Sequence, residues 1–542
     1  MPPGDRTKLS IRLLLLSVPP TLGLVALLLG QDASWDLRNY HFYNPFAFLT
    51  GRMGHDIAMA QVATYYNPLL HLPFYAAVVN WPPKVVGFLL GLLPGLNIFL
   101  LYGLARQTIG PTFGDRAPWW CLAAALMGLL GAGNLSEIGT SFADNMVSLL
   151  VLAALWLLVR WRTLLSAPGV AGPGVAAAAG LLVGAALGLK QPYAIYAVGL
   201  CVAFFALKLP WRRRFVLAFV FGLGVLAGAA LTGGFWMLAL WRRYQNPLFP
   251  YFNQVFQSPW GATAPYRDER FLPTGLGTHL FFPIWFTIDP LRVAEVPFRD
   301  LRLALLYLVL ICWPIHRLVA RMRKPAAAPT MGPTHPAPAP MLGFLVLFMV
   351  VTFVVWMKLF AIYRYLMVGE MLAPLVLMLV LGRLVKTPHR RAALVLGCLA
   401  LILVTVRPAY WGRTAWGNDY FGVQAPAVQA PADTVVLAAG LEPVAYMIPF
   451  FPPEVRFLRI QSYFTGPSTQ TNATDRLMQE IIADHRGALF ILYRAHEAAT
   501  GQAALAAYGL TQTKEGCQSF LPAIEPDRSQ PYYFCPVTKE RR

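Results

Sequence analysis

Between residues 11 and 407 the chain is a succession of apolar runs, and that pattern limits it to membrane-spanning helices with lipid as the solvent. A bilayer core of about 30 Å needs roughly 20 apolar residues per helix. Runs near that length fall at 11–30, 84–105, 118–134, 143–159, 174–189, 192–208, 215–240, 301–316, 341–358, 367–384 and 391–407, which predicts an α-helical polytopic membrane protein with about eleven transmembrane helices. A composition of 57% hydrophobic and 13% charged residues over 542 positions excludes an ordinary soluble enzyme. The first run follows Arg6, Lys8 and Arg12 as a signal peptide would, but it is too long and lacks a small-x-small cleavage site, so it reads as a retained anchor.

The formal charge of +19 would suggest nucleic acid in a soluble chain. Here the basic clusters sit between alternate runs, at 6–12, 106–116, 160–162, 208–214, 317–324 and 383–391, with Asp5 and Asp115 the acids among them. Cytoplasmic loops collect Lys and Arg in this way, so the expected N-terminus is cytoplasmic and nucleic acid is not an expected partner; an Ala/Leu/Arg-rich chain with no retention signal makes a bacterial inner membrane the expected location. The other side then receives outer loops 31–83 and 241–300, short turns at 135–143 and 190–191, a connection at 358–365, and the C-terminal part. The Ala/Pro tract 324–340 reads as a cytoplasmic linker.

This divides the chain into a transmembrane domain (1–407), a linker (408–430) and a small extracytoplasmic α/β domain (431–542). In the last, residues 434–439 and 488–493 read as buried strands and 475–483 as an amphipathic helix. Of the six cysteines, Cys121, Cys201, Cys312 and Cys398 fall in apolar runs. Cys517 and Cys535 lie on the oxidising side of the expected topology, which predicts a disulfide between them.

Acids and misplaced cations mark the outward-facing segments. Asp32 and Asp36, four apart, would share a helical face at the mouth of the first span, placed to hold a divalent cation or take a proton from a hydroxyl. The aromatic residues of that loop suit a helix lying at the interface. The turn at 137–145 brings Glu137 and Asp144 to the same side, with Ser141 a candidate N-cap. Lys190, Lys358 and Arg364 stand at the outer ends of spans, against the charge rule, and ask for an anionic partner such as a lipid phosphate. Tyr40, His41, Tyr363 and Glu370 complete the candidate substrate-binding set, while His55 and His71 show no metal-ligand spacing with His41. Residues 241–247 and 266–270 suggest amphipathic pieces on the membrane, and Gly222, Gly224 and Gly228 suggest close helix packing.

The arrangement resembles the GT-C superfamily of polyprenol-phosphate-dependent membrane glycosyltransferases. The resemblance rests on Asp36 after the first span, Tyr40, Ala47, the Leu49-Thr-Gly51 turn and Asn67-Pro68-Leu69, with Leu37 where the family often has a second acid. A second acidic outer loop, Tyr363-Arg364-Tyr365 and a C-terminal domain on the same side are also similar. It implies transfer of a sugar from a lipid-linked donor to a glycan, lipid or protein acceptor at the membrane, with Asp36 as the general base or metal-orienting acid. Lys190, Lys358 and Arg364 are assigned to the donor phosphate by topology and charge. A divalent cation, Mg or Mn, held by Asp36 and Asp144 is part of the same expectation. The alternatives are a transporter or flippase of a lipid-linked or anionic substrate, and a non-catalytic membrane assembly protein.

Overall fold

A computed structural model describes residues 3–322, 341–466 and 472–539; the Ala/Pro tract lies outside the described residues. Helices stand in each of the apolar runs, but among the described residues only seven are long and apolar enough to cross a membrane, fewer than the eleven expected. They are Arg6–Leu29, Pro83–Thr108, Ala171–Leu189, Trp211–Tyr244, Met341–Leu359, Tyr363–Leu384 and Pro388–Thr405. For two of the four remaining runs the structure shows where the helix ends. The helix Ala117–Leu129 stops short, and the fully buried Arg302 guanidinium donates to the Met127 carbonyl at 2.9 Å and that of Leu130 at 2.8 Å, satisfying its orphan ends. The helix Ala194–Ala203 gives way to a 3-10 turn at Phe204–Ala206. Gln191–Ala206 and Arg302–His316 are shorter apolar helices.

Small residues bring the long helices together. Gly180 and Gly184 lie against the backbone of Phe221 and Val225, while Gly224 and Gly228 lie in turn against Ala177 and Leu181, leaving no room for a Cβ at any of them. The expected close packing therefore holds at Gly224 and Gly228, whereas Gly222 faces open space.

The first loop departs from its expectation as an interfacial helix. It is a chain of short helical turns whose aromatic residues Phe42, Tyr43 and Phe74 are buried in one apolar core with Phe421, Tyr446, Phe457 and Phe534 of the C-terminal part. The Leu49-Thr-Gly51 turn is present, with Gly51 at a φ of 69°, the left-handed region that glycine enters without strain. Asn67 accepts from the Leu69 amide at 3.0 Å and donates to the carbonyls of Gly188 (2.8 Å) and Thr232 (2.9 Å), pinning the loop to two long helices.

The C-terminal part is a small α/β unit, as the strand and helix patterns require. Its sheet runs in the order β4 (Arg456–Gln461), β3 (Thr434–Ala439), β5 (Ala488–Arg494), β8 (Tyr532–Lys539), β6 (Leu510–Gln512), with β7 (Gln518–Phe520) also on β8. β3 is parallel to β4 and β5, and β8 is antiparallel to its neighbours. Cys517 and Cys535 form the expected disulfide. The first loop extends the edge of this sheet: the Ile57 amide donates to Phe457 O and its carbonyl accepts from the Arg459 amide, each at 3.0 Å. Residues 408–430, expected as a linker, are packed in the same way. β1 (Gln31–Asp32) pairs antiparallel with β2 (Arg413–Thr414), Trp416 donates to the Leu27 carbonyl at 2.8 Å, and Phe421 is buried.

Candidate functional site

Asp32 and Asp36 do not share a helical face, because Asp32 lies in strand β1 and the helical turns begin only at Trp35. The two acids serve different clusters. Asp36 Oδ2 accepts from Arg364 Nη1 at 2.6 Å, with both side chains partly open to solvent, 13% and 16% exposed. Lys190 Nζ stands 2.7 Å from Oδ1 of the fully buried Asp144 and donates to the Phe142 carbonyl at 3.0 Å. The Arg364 guanidinium lies 5.0 Å from the Phe142 ring centroid and 6.0 Å from that of Trp411. Both cations lie over one ring: Tyr365 has Arg364 at 5.5 Å and Lys190 at 5.9 Å. Two carboxylates and two cations from distant segments thus share an aromatic cage at the loop-bearing end of the bundle.

The turns that deliver these side chains are strained. Ala143, immediately before Asp144, has a φ of 63°, and Ala361, before the Tyr363–Leu366 turn, has a φ of 52°. A residue with a Cβ in that region costs on the order of 1–3 kcal/mol, and such positions persist where surrounding packing over-determines them.

Beside the ion pairs lies a buried relay of hydrogen bonds. Ser141, expected as a helix cap, is not one; the helix Asp144–Arg160 has no side-chain cap. Instead the Ser141 hydroxyl and amide both donate to Asp32 Oδ2 at 2.8 Å, and His41 Nδ1 lies 2.7 Å from the Ser141 hydroxyl. With the hydroxyl proton given to Asp32, His41 Nδ1 is the donor and Nε2 carries a bare lone pair, which has no hydrogen-bond partner among the described residues. His41 stacks on His71 at 4.0 Å, and His71 Nε2 donates to the Ser141 carbonyl at 3.2 Å. Burial first, then His71, Lys190 and Arg364, pushes His41 well below its ordinary range; burial and Lys190 push His71 down to about 3. Both rings are therefore neutral at neutral pH.

Glu137 is buried in the same turn, its Oε2 accepting from the Asn145 amide at 3.3 Å. Burial and the Asp144 charge raise its carboxyl well above the usual range, outweighing Lys190 and Arg364. Tyr40 meets the His41 ring edge-on at 4.3 Å and Tyr66 at 5.2 Å.

Other expected site residues lie elsewhere. Lys358 Nζ contacts His279 Nε2 at 2.7 Å, and no contact joins it to Asp36 or Arg364 among the described residues. The Glu370 carboxylate is engaged by the amides of Gly133 and Asn134, each at 2.9 Å, at the start of the short helix Ala132–Ser136, and the Tyr363 ring packs on Phe298 at 4.4 Å beneath it. These are fold-supporting uses. Asp36 and Asp144, the expected metal pair, are each ion-paired with a cation, Arg364 and Lys190, so the donor set as it stands does not fit a divalent cation.

Trp411 belongs to the cluster with nothing in the sequence to single it out, and His71, Ser141 and Tyr365, visible there only as a spacing, a cap and part of a motif, gain their site roles here. The local pattern did not give those roles, because each joins through contacts to distant segments.

Fold and site together define a polytopic helical membrane protein with an ion-paired, aromatic-lined polar cluster where its loops meet its C-terminal sheet. No family model matches the chain, and no curated protein matches it.

Proposed function

We propose that this chain is a membrane glycosyltransferase that moves a sugar from a polyprenyl-phosphate donor to an acceptor at the extracytoplasmic face of a bacterial inner membrane. The observation that carries the reading is the pair of cations, Arg364 and Lys190, over the Tyr365 ring beside two carboxylates at the end of apolar helices. A lipid phosphate arriving from the bilayer supplies the anion that such cations bind, Arg as a fork and Lys as a point charge. Binding draws Arg364 from Asp36 and leaves that carboxylate free to act as a base.

In the reaction the acceptor oxygen attacks the anomeric carbon and its proton passes to Asp36. The bond between the anomeric carbon and the phosphate oxygen breaks, and its electron pair leaves on the lipid phosphate, where Arg364 and Lys190 neutralise it. In this reading Tyr40, His41 and Glu137, buried beside the cluster, support the acceptor side, with Asp144 holding Lys190 in place.

The test is turnover of polyprenyl-phosphate sugars by purified protein and by Asp36→Asn. Loss of a general base lowers turnover by about 10²–10⁴-fold. Equal turnover in the two proteins removes Asp36 from the mechanism, and movement of intact lipid across sealed vesicles without sugar transfer replaces the reading with a transporter.

A further inference from the structure

Around Asp36 lies an arc of aromatic rings that the reaction itself does not use. Trp35, the residue before it, faces Tyr463 with centroids 6.5 Å apart and planes tilted by 36°. Tyr463 comes from the turn after β4 and is 55% exposed, a large exposure for a ring within electrostatic reach of both Asp36 and Tyr251. The Tyr251 hydroxyl meets that of Tyr66 at 2.7 Å with the rings stacked at 6.3 Å, and Tyr66 meets Tyr40 edge-on at 5.2 Å. Three separate parts of the chain, the first loop, the segment after Trp211–Tyr244 and the C-terminal sheet, thus contribute rings that are half-buried or, at Tyr463, exposed, with Trp35 next to Asp36 in the chain and Tyr463 within electrostatic reach of both Asp36 and Tyr251.

Rings that served only as core would be covered, as Tyr43 and Phe421 are. Their chemistry points to an amphiphilic polyol. A pyranose presents a face of C–H bonds with slight positive polarity, which suits the negative face of an aromatic ring, and a rim of hydroxyls, which suits phenolic groups able to donate and accept. Two-torsion aromatic side chains also provide contact area at low entropic cost. A purely apolar ligand would leave the Tyr66 and Tyr251 hydroxyls and the Asp36–Arg364 pair against hydrocarbon, which is costly.

We infer that Trp35, Tyr66, Tyr251 and Tyr463 form the acceptor subsite, that the acceptor is a saccharide stacked across them, and that the C-terminal domain supplies the Tyr463 wall of that subsite. The inference rests on the transferase reading for the word acceptor, while saccharide binding itself does not. It gives the C-terminal unit a definite task, since Ile57 on the sheet edge holds β4, and with it the turn that carries Tyr463, against the loop that carries Asp36.

Saturation-transfer NMR on the full chain in nanodiscs, with maltotriose, mannotriose and chitotriose as probes and no donor present, tests it. Saturation should reach the pyranose C–H protons of at least one sugar. Tyr463→Ala should weaken binding about tenfold with an unchanged thermal midpoint, the effect of losing one stacking contact of this kind. Tyr463→Phe should keep it, because the face and not the hydroxyl makes the contact. Absence of transfer to all three sugars, or transfer in Tyr463→Ala and Trp35→Ala as strong as in the unmodified protein, overturns the inference. Because no donor is needed, saccharide binding without turnover of polyprenyl-phosphate sugars would remove only the transferase reading, and turnover without saccharide binding would remove only this one.

Discussion

Arg364 and Asp36 are 328 residues apart in sequence, and Nη1 of the one stands 2.6 Å from Oδ2 of the other. Neither is fully buried, and the guanidinium is flanked by Phe142, Tyr365 and Trp411. The pair is thus fixed in geometry while keeping a small solvent-exposed surface.

Arg364→Lys is expected to impair donor use although it preserves charge. A lysine ammonium cannot stack as a plane on the rings or offer a fork to phosphate. Loss of one such charge-assisted contact lowers kcat/KM for a polyprenyl-phosphate sugar by about 10–100-fold. Steady-state kinetics at varied donor concentration decides it, and full activity in the lysine variant would show that charge alone suffices.

Lys190→Met leaves the buried Asp144 carboxylate without its cation. Removing one partner of a buried ion pair destabilises by about 3–5 kcal/mol, because the remaining charge is uncompensated. The double variant Lys190→Met with Asp144→Asn should recover most of that loss. Thermal unfolding of the three proteins in one detergent measures both effects, and additive losses in the double variant would contradict the pairing.

His71 gives the protein an acid-sensitive element. Its folded-state value of about 3 lies below the ordinary 6.5, so the unfolded chain takes up the proton first as pH falls. Its contribution is complete above pH 6.5 and is lost between there and about 3, at up to about 1.4 kcal/mol per pH unit. His71→Gln should flatten the fall in thermal midpoint across that window; an unchanged slope would place the acid sensitivity elsewhere.

Glu525 works through a different balance at the junction with the first loop. Burial pushes its carboxyl up, but Arg38, at 2.5 Å, and Arg494, together with hydrogen bonds from Tyr446 and Arg38, outweigh burial and hold it below 4.5. A lowered carboxylate stabilises above its unfolded value and loses that contribution as pH drops through its folded value. Arg38→Met should therefore lower the midpoint at pH 7 and narrow the difference between pH 7 and pH 3. A midpoint unaffected at pH 7 would show that Arg494 alone satisfies Glu525.

Several features were legible from local pattern. The strands at 434–439 and 488–493 and the helix near 475–483 appear where composition and periodicity put them, and Cys517 pairs with Cys535. Among the candidate site residues, Asp36, Arg364, Lys190 and Asp144 were visible as charges out of place for their depth, and they are ion-paired with one another. Lys358 carried the same signal but contacts His279, and Glu370, a candidate for substrate binding, is engaged by the amides of Gly133 and Asn134. Charge at a span end shows that a partner is needed, not which one.

By itself, then, the sequence determined that the chain lives in lipid and that the loops at one end carry acids and cations, because run length and charge are properties of neighbouring residues. Tertiary structure decided which of those groups meet. It took Asp32 from Asp36 and gave it to Ser141 and the His41–His71 stack, and it moved the aromatic first loop from the headgroups into a core shared with the C-terminal sheet. Those outcomes depend on the packing of segments separated by up to several hundred residues, and no local periodicity encodes them.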